Sequence, residues 1–296
     1  ETGGRVGLGW LVANRPELVD AELALNEGGG NAISLGGQIY FTLQAGEKTS
    51  APVRLLARGV AGHASIPSPQ NPVLHLAEAI AKVGQTRLPL HETKTVRTFL
   101  DRLIADLGPK FGLPSGTKLP FGHVPAFVEQ AVAEPLAKAA LMAMIANTAT
   151  PTMIHAGQKI NVIPSQAAAE LDGRLLPGQT GDDLLRELQA FLSDGMEVSV
   201  GDYLPATESD PDTLLAEIID QVVKETLPGA KTIPFLLPAT TDARYLRPRG
   251  VVVYGFDPML PGEHMAAHGV DERVSLASLE FGLKVLQAVV VRVATT

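Results

Sequence analysis

Two of the seven histidines lie where a side chain can do chemistry. His63 lies in a loop between a predicted strand and a predicted helix, and His268 follows an apolar strand and a Pro/Gly-rich loop. Functional side chains gather on loops held by rigid elements, and open α/β sheets bind ligands at the carboxyl ends of their strands. His264 competes with His268 on the same loop, and a solvated imidazole is the alternative interpretation of each.

Two glutamates precede glycines in a similar setting. Glu1 comes before Gly3-Gly4, and Glu27 ends a predicted strand before residues 28–30, which are all glycine. Glycines at such a point let the backbone turn sharply and approach a ligand closely. Because zinc takes histidine nitrogen and carboxylate oxygen, Glu1, Glu27 and His268 are candidate ligands of one metal site. Exposed surface glutamates are the alternative interpretation.

Polar and cationic residues form a third group. Asp172 and Arg174 share one face of a predicted strand, and Arg174 can clamp a substrate carboxylate in a bidentate manner. The alternative is a surface ion pair with Asp172, which contributes little to stability. Residues 240–242, Thr-Thr-Asp, stand between an apolar strand and a helical turn, where they predict either an anion site or a simple helix cap.

The composition excludes several classes of protein. The chain of 296 residues has a net charge of −8, so it has no field that gathers nucleic acid or anionic lipid. It contains no cysteine, which excludes disulfides, thiol nucleophiles and cysteine zinc sites. No apolar run approaches the roughly 20 residues that span a bilayer. We therefore expect neither nucleic-acid nor membrane partners, and the sequence leaves the compartment open.

The order of elements predicts two domains. Between Ala51 and Tyr203 it reads strand, helix, helical insertion, strand, strand, helix, strand, which is the ferredoxin-like split βαβ pattern. Fully apolar strands on either side, such as 251–256, indicate a doubly covered α/β sheet. The predicted domains are 1–50 with 204–296, and an inserted domain over 51–203 with a helical insertion at about 88–147. Helix starts are predicted at Asn71-Pro72, Asp210-Pro211 and Ser275.

Seven short motifs, taken in order, resemble one known family. They are Glu-Thr-Gly-Gly, Asn-Glu-Gly-Gly, Gly-His-Ala-Ser-x-Pro, Asn-Val-Ile-Pro, Asp-Gly-Arg, Thr-Asp-Ala-Arg and His-Gly-Val-Asp-Glu-Arg. The family comprises aminoacylase, acetylornithine and succinyl-diaminopimelate deacetylase, and glutamate carboxypeptidase, which are dinuclear zinc peptidases and amidases. The resemblance runs from Glu1 to the closing helix. It implies a zinc-peptidase mixed-sheet domain with an inserted ferredoxin-like lid, through which two subunits form a homodimer.

The resemblance also implies a role for each matched residue. Glu1 and His268 would be ligands of one zinc ion, and Glu27 a ligand of the other, with cobalt or manganese as substitute metals. His63 would reach the partner subunit's site and stabilise the oxyanion. The remaining matches would hold substrate, with Arg174 on its carboxylate; they are Asn161, Arg174 and Thr240. The implied substrate is an N-acyl amino acid, or a peptide with a free carboxylate, whose amide bond is hydrolysed.

The chain departs from the family pattern at its beginning. The family's His-x-Asp motif, its bridging aspartate and the general-base glutamate before the position of Glu1 have no counterpart here. We therefore interpret the chain as the carboxy-terminal part of such an enzyme and expect it, by itself, to bind zinc weakly and lack amidase activity. Two alternatives remain open: a non-catalytic dimerisation or binding module, and a protein that keeps the fold and binds ligand without turnover.

Overall fold

A computed structural model describes residues 4–114, 116–132, 135–263, 266–267 and 269–296. The chain divides into two compact units. Unit 1 contains residues 1–47, 92–144 and 207–296, and unit 2 contains residues 48–91 and 145–206. The helical segment predicted as an insertion in the second domain therefore contributes residues 92–144 to unit 1. Strands and helices are numbered below in chain order.

Unit 1 is built on a mixed sheet. Its strands are β1 Leu23–Asn26, β2 Ala32–Leu35, β3 Gln38–Glu47, β11 Thr207–Glu208, β12 Lys231–Leu237 and β13 Val252–Gly255. Strand β3 pairs in parallel with β12 and antiparallel with β2, β11 and β13, whereas β1 pairs in parallel with β13. The parallel pairing of β1 with β13 places their carboxyl ends side by side.

Unit 1 also contains α-helices, several of which pack on this sheet. They are α1 Leu8–Asn14, α3 Lys94–Leu107, α4 Val124–Ala131, α5 Pro135–Ala143, α7 Leu214–Thr226, α8 Ala243–Leu246 and α9 Leu276–Ala294. Helices α7 and α9 bury Ile219, Val223 and Val285 against Phe41 and Leu43 of β3. Burial of apolar side chains at helical spacing, rather than intrinsic propensity, is what stabilises helices of this length.

One predicted helix start is wrong and another is confirmed. Helix α7 begins at Leu214, not at Pro211, because the hydroxyl of Thr213 accepts the backbone N–H of Ala216 and caps the helix. Asp210 instead forms an ion pair with Lys94 at 2.7 Å. The cap of α9 is Ser275, as predicted, since its hydroxyl accepts the N–H of Ser278.

Unit 2 has the ferredoxin-like topology that the sequence predicts. Its elements are β4 Thr49–Ser50, β5 Val53–Arg58, β6 Gly62–His63, α2 Pro72–Gln85, β7 Thr148–Ala156, β8 Val162–Ile163, β9 Gln166–Leu175, α6 Gly181–Gln189 and β10 Met196–Val200. The antiparallel order β10-β5-β9-β7 is the 4-1-3-2 order of a split βαβ fold. Helix α2 begins after the predicted cap, because Asn71 accepts the N–H of Val73 at 3.0 Å.

Alternate residues of the unit 2 strands face a core under the two helices. Val53, Leu55 and Leu171 are buried there with Leu76 of α2 and Leu184 of α6. Most of the intervening residues of β5 and β9 are polar or charged, with Leu56 and Ala168 as apolar exceptions, so the face opposite the helices is largely polar. No helix in the described part of the chain has the length and apolar character needed to cross a membrane.

Candidate functional site

Glu27 lies at the carboxyl edge of the unit 1 sheet. It follows β1 directly, at the point where Asn26 pairs with Gly255 of β13, and its side chain is exposed. The glycines after it adopt the predicted sharp turn, with positive φ of 97° at Gly28 and 78° at Gly30. A Cβ on Gly29 would lie 2.0 Å from the carbonyl oxygen of Gly255. Only glycine fits there, so the turn holds Glu27 at a defined position.

Asp257 stands beside this turn and was not identified from the sequence. Its carboxylate accepts the backbone N–H of Gly29 at 3.2 Å. Burial raises the pKa of Asp257 to about 6, and the nearby charge of Glu27 adds to that shift. The sequence did contain a signal for this carboxylate, because Asp257 comes shortly after the apolar strand β13, and Glu27 likewise comes after β1. Two adjacent parallel strands deliver both carboxylates to one edge.

The threonine pair after β12 is used differently from the prediction. The backbone N–H and hydroxyl of Thr241 donate to the Glu47 carboxylate at 2.7 and 2.6 Å. The helix that follows, α8, has only four residues and begins after Asp242 without a side-chain cap. The anion that Thr241 binds is therefore the chain's own carboxylate, and the substrate-binding role of Thr240 stays a prediction. Thr240 is half-buried beside it.

A buried network links this loop to the edge that carries Glu27. Glu47 is fully buried and forms an ion pair with buried Arg247 at 3.5 Å. Burial raises the pKa of Glu47, and the guanidinium of Arg247 opposes that shift. The side-chain amide of Asn26 donates to the hydroxyl of Thr241 at 3.0 Å. Asn26 directly precedes Glu27, so Glu47 holds the loop of Thr240 and the end of β1 in register.

In unit 2 the structure brings His63 and Asn161 together. Strands β6 and β8 pair His63 with Val162, and the N–H of Ala64 donates to the carbonyl oxygen of Asn161 at 3.0 Å. The backbone N–H of Ser65 donates to Nδ1 of His63 at 3.2 Å. Because a backbone N–H can only donate, Nδ1 is the acceptor and the neutral ring carries its proton on Nε2. His63 thus presents an N–H donor from an exposed position.

Arg174 lies near the carboxyl end of β9, in a different sheet from β6 and β8. The paired strands β6 and β8, which carry His63 and follow Asn161, lie near Gln166, where β9 begins, and Arg174 follows eight residues later. About 27 Å of strand separates these positions at roughly 3.4 Å per residue. Nε of Arg174 lies 2.9 Å from a carboxylate oxygen of Asp172, which is the ion pair that the sequence analysis gave as the alternative to substrate binding. Within unit 2 the structure therefore does not bring Arg174 to His63 and Asn161.

The predicted metal site is described only in part. Glu1 and His268 lie outside the described residues, as does the competing His264. Within the described ranges, no group of three His, Asp or Glu side chains is arranged to hold a metal ion. Glu27 fits such a site, because its oxygen is a ligand that zinc accepts and because Asp257 adds negative charge that a cation would offset.

A protein-family model for the M20 peptidase dimerisation domain matches residues 45–199, just over half of the chain. This chain belongs to the M20 family of zinc peptidases and aminoacylases. Membership implies a divalent metal and, through the dimerisation domain, a homodimer.

Curated proteins with related activities in their names match this chain at low sequence identity. The human "N-fatty-acyl-amino acid synthase/hydrolase PM20D1" is 29% identical over 248 residues, which is 80% of this chain and 48% of the human protein. The "probable carboxypeptidase S-like 2" of Dictyostelium discoideum is 25% identical over 236 residues, 78% of this chain and 44% of that protein. The chain thus spans about half the length of the curated relatives it matches.

Solved structures share the fold. A tripeptidase from Staphylococcus aureus has a TM-score of 0.63 at 14% identity, with 100% of this chain and 62% of the tripeptidase covered. An M20 family metallo-carboxypeptidase from Sulfolobus solfataricus has a TM-score of 0.59 at 15% identity, with 98% and 67% covered. The predicted fold class, a mixed-sheet domain with a ferredoxin-like domain, is confirmed.

Proposed function

We propose that the protein hydrolyses the amide bond of N-acyl amino acids, or of peptides with a free carboxylate, in a zinc-dependent reaction. The observation that carries the proposal is the placement of Glu27, beside Asp257 at the carboxyl edge of a mixed sheet in an M20 family chain. The human relative is named as a hydrolase of N-fatty-acyl amino acids, and the Dictyostelium relative as a carboxypeptidase, which supports the reaction type.

The metal would be held by Glu27, together with Glu1 and His268 as the family resemblance implies. Bound zinc would supply a Lewis acid that polarises the amide carbonyl and lowers the pKa of water, so that hydroxide is available as the nucleophile. The chain's own contribution at this edge is to hold Glu27 rigidly, through the glycine turn and the Asn26–Thr241–Glu47 contacts.

His63 and Arg174 divide two tasks in this proposal. Nε2 of His63 donates to the oxygen that becomes negative in the transition state, a contact worth about 3–4 kcal/mol. The planar guanidinium of Arg174 binds the substrate carboxylate, with Asn161 and Thr240 as further substrate contacts. The strand length between His63 and Arg174 favours sites completed by two subunits of a dimer, with His63 supplied from the partner.

Kinetics and metal content of the full gene product test the proposal. Glu27→Gln should abolish hydrolysis of an N-acyl amino acid and reduce bound zinc, while Glu22→Gln, an exposed glutamate before β1, should change neither. His63→Ala should lower kcat about 100-fold with zinc unchanged, because an oxyanion contact forms mainly in the transition state. Arg174→Ala should raise KM. Full activity in Glu27→Gln would refute the proposal, and normal zinc without any turnover in the wild type would favour a binding module.

A further inference from the structure

Unit 2 contains a cavity that the proposed reaction does not use. Its volume is about 640 Å³, within the usual range for small-molecule sites. Its walls come from the polar face of the sheet and from the segment that joins β7 to β9. The lining residues that carry the argument are Arg54, Lys159, Val162, Ile163 and Ala168.

The cavity is cationic in an acidic protein. The chain carries a net charge of −8, yet Arg54 and Lys159 line the cavity, and none of the described residues that line it is Asp or Glu. Arg54 is about half exposed, and its ion pair with Glu170 spans 3.7 Å, longer than a hydrogen bond. Its guanidinium therefore keeps donors for an added carboxylate, which arginine binds in a bidentate manner.

The remaining walls are largely apolar. Val162 and Ile163 of β8 line the cavity with Ala168 of β9, and Ala61, Ala156 and Pro164 complete this surface. A small inorganic anion would pair with the two cations, but it would leave the apolar part of the lining exposed to water. A ligand with one carboxylate on a short apolar body matches both parts of the lining, because burying its apolar area adds favourable free energy.

We propose that this cavity binds an amphiphilic organic anion, with its carboxylate on Arg54 and Lys159 and its apolar body against Val162, Ile163 and Ala168. This assignment rests only on the residues that line the cavity in unit 2, and it does not depend on the proposed hydrolysis.

Calorimetric titration with sodium octanoate tests it, with octanamide as a neutral probe of matched size. Octanoate should bind, and octanamide should bind about tenfold more weakly, since a hydrogen bond to a charged group is worth about 1.5–3 kcal/mol. Arg54→Gln and Lys159→Gln should each weaken octanoate about tenfold and leave octanamide unchanged. Arg58→Gln and Lys82→Gln are the matched controls, because Arg58 lies on the same face of β5 outside the cavity and Lys82 lies on α2.

Three results would overturn the assignment: equal affinity for the two probes, octanoate binding that survives Arg54→Gln together with Lys159→Gln, and octanoate affinity that falls as rising protein concentration drives self-association. The last result would mean that a second copy of the chain covers the cavity. Circular dichroism of each variant verifies that a loss of binding is not a loss of fold, and retained octanamide binding serves the same purpose.

Discussion

Glu47 and Thr241 are 194 residues apart in the chain, and the buried carboxylate of Glu47 accepts both the backbone N–H and the hydroxyl of Thr241. A buried carboxylate is tolerated only when its oxygens are paired. Arg247 supplies the opposite charge, and Arg247 in turn donates to the carbonyl oxygens of Gln44 and Val253. This one carboxylate therefore joins β3, the loop of Thr240 and the segment before β13.

Glu47→Gln should destabilise the protein by about 3 kcal/mol, because it leaves the buried guanidinium of Arg247 without its counter-charge. Urea denaturation followed by fluorescence measures the change. Glu17→Gln removes a carboxylate from an exposed ion pair with Arg15, and it should leave the midpoint unchanged. Equal midpoints for Glu47→Gln and wild type would show that the buried pair adds nothing to stability.

Because Lys48 is buried, we expect the stability of unit 2 to depend on pH. The pKa of Lys48 is lowered from 10.5 to about 7, mainly by burial and in smaller part by the charge of Arg174, while Asp172 and Glu187 oppose the shift. Between pH 7 and 10.5 the unfolded chain holds a proton that the folded chain has lost. The free energy of unfolding should therefore rise with pH in this window, by up to about 1.4 kcal/mol per pH unit, whereas below pH 7 the full cost of burying the ammonium is present.

Comparison with Lys48→Met isolates this contribution. The stability of wild type relative to Lys48→Met should increase between pH 7 and 9.5, as measured by urea denaturation at several pH values. The same replacement at exposed Lys82 controls for the loss of a surface charge. Parallel pH profiles for wild type and Lys48→Met would contradict the prediction.

The edge of the unit 2 sheet predicts how the homodimer forms. Strand β5 lies between β10 and β9, so it is not at an edge. Among the described strands β7 and β10 are the outer ones, and β7 exposes Met153 and Ile154. An exposed apolar edge strand is a template for pairing with another chain. We therefore expect the two copies to meet along β7.

Ile154→Lys should weaken the dimer at least tenfold, since a charge would be buried at the pairing edge. Sedimentation or light scattering over a concentration series measures the dissociation constant. Ser199→Lys, at the β10 edge, is the matched control and should leave it unchanged. A dimer lost in Ser199→Lys and retained in Ile154→Lys would assign the interface to β10 instead.

Subunit mixing tests whether His63 acts across the dimer. Full-length subunits with His63→Ala and with Glu27→Ala should each retain at most about 1% of wild-type activity. An equal mixture that exchanges subunits should recover about a quarter of wild-type activity, because half of the dimers then contain one complete site of two. Tag-based isolation of mixed dimers verifies exchange. Isolated mixed dimers without activity would place His63 and Glu27 in the same subunit's site.

Local signals in the sequence predicted much of the fold. Asn71-Pro72 and Ser275 cap helices through contacts two or three residues away, so their residue types alone were informative. The helix start at Asp210-Pro211 failed because Asp210 is held by Lys94, more than a hundred residues away, and Thr213 caps in its place. Local patterns cannot weigh a distant ion pair against a cap.

The candidate site was predictable residue by residue but not as an arrangement. His63 and Asn161 were singled out separately, and the two-residue strands that join them are too short to show alternation. Glu47 and Arg247 carry no local mark of burial, because they are ordinary charged residues until the fold pairs them. Asp257 was missed although its position after an apolar strand matched that of Glu27.

The pairing of β5 with β9 has a consequence for synthesis on the ribosome. Val53 pairs with Leu171, and the other neighbour of β5, β10, begins only at Met196. At 5–20 residues per second, β5 waits roughly 6 to 24 seconds for β9 to be translated. During that interval its apolar side chains, Val53, Leu55 and Ala57, have no sheet to join. A nascent chain of this length is therefore a natural client for ribosome-associated chaperones.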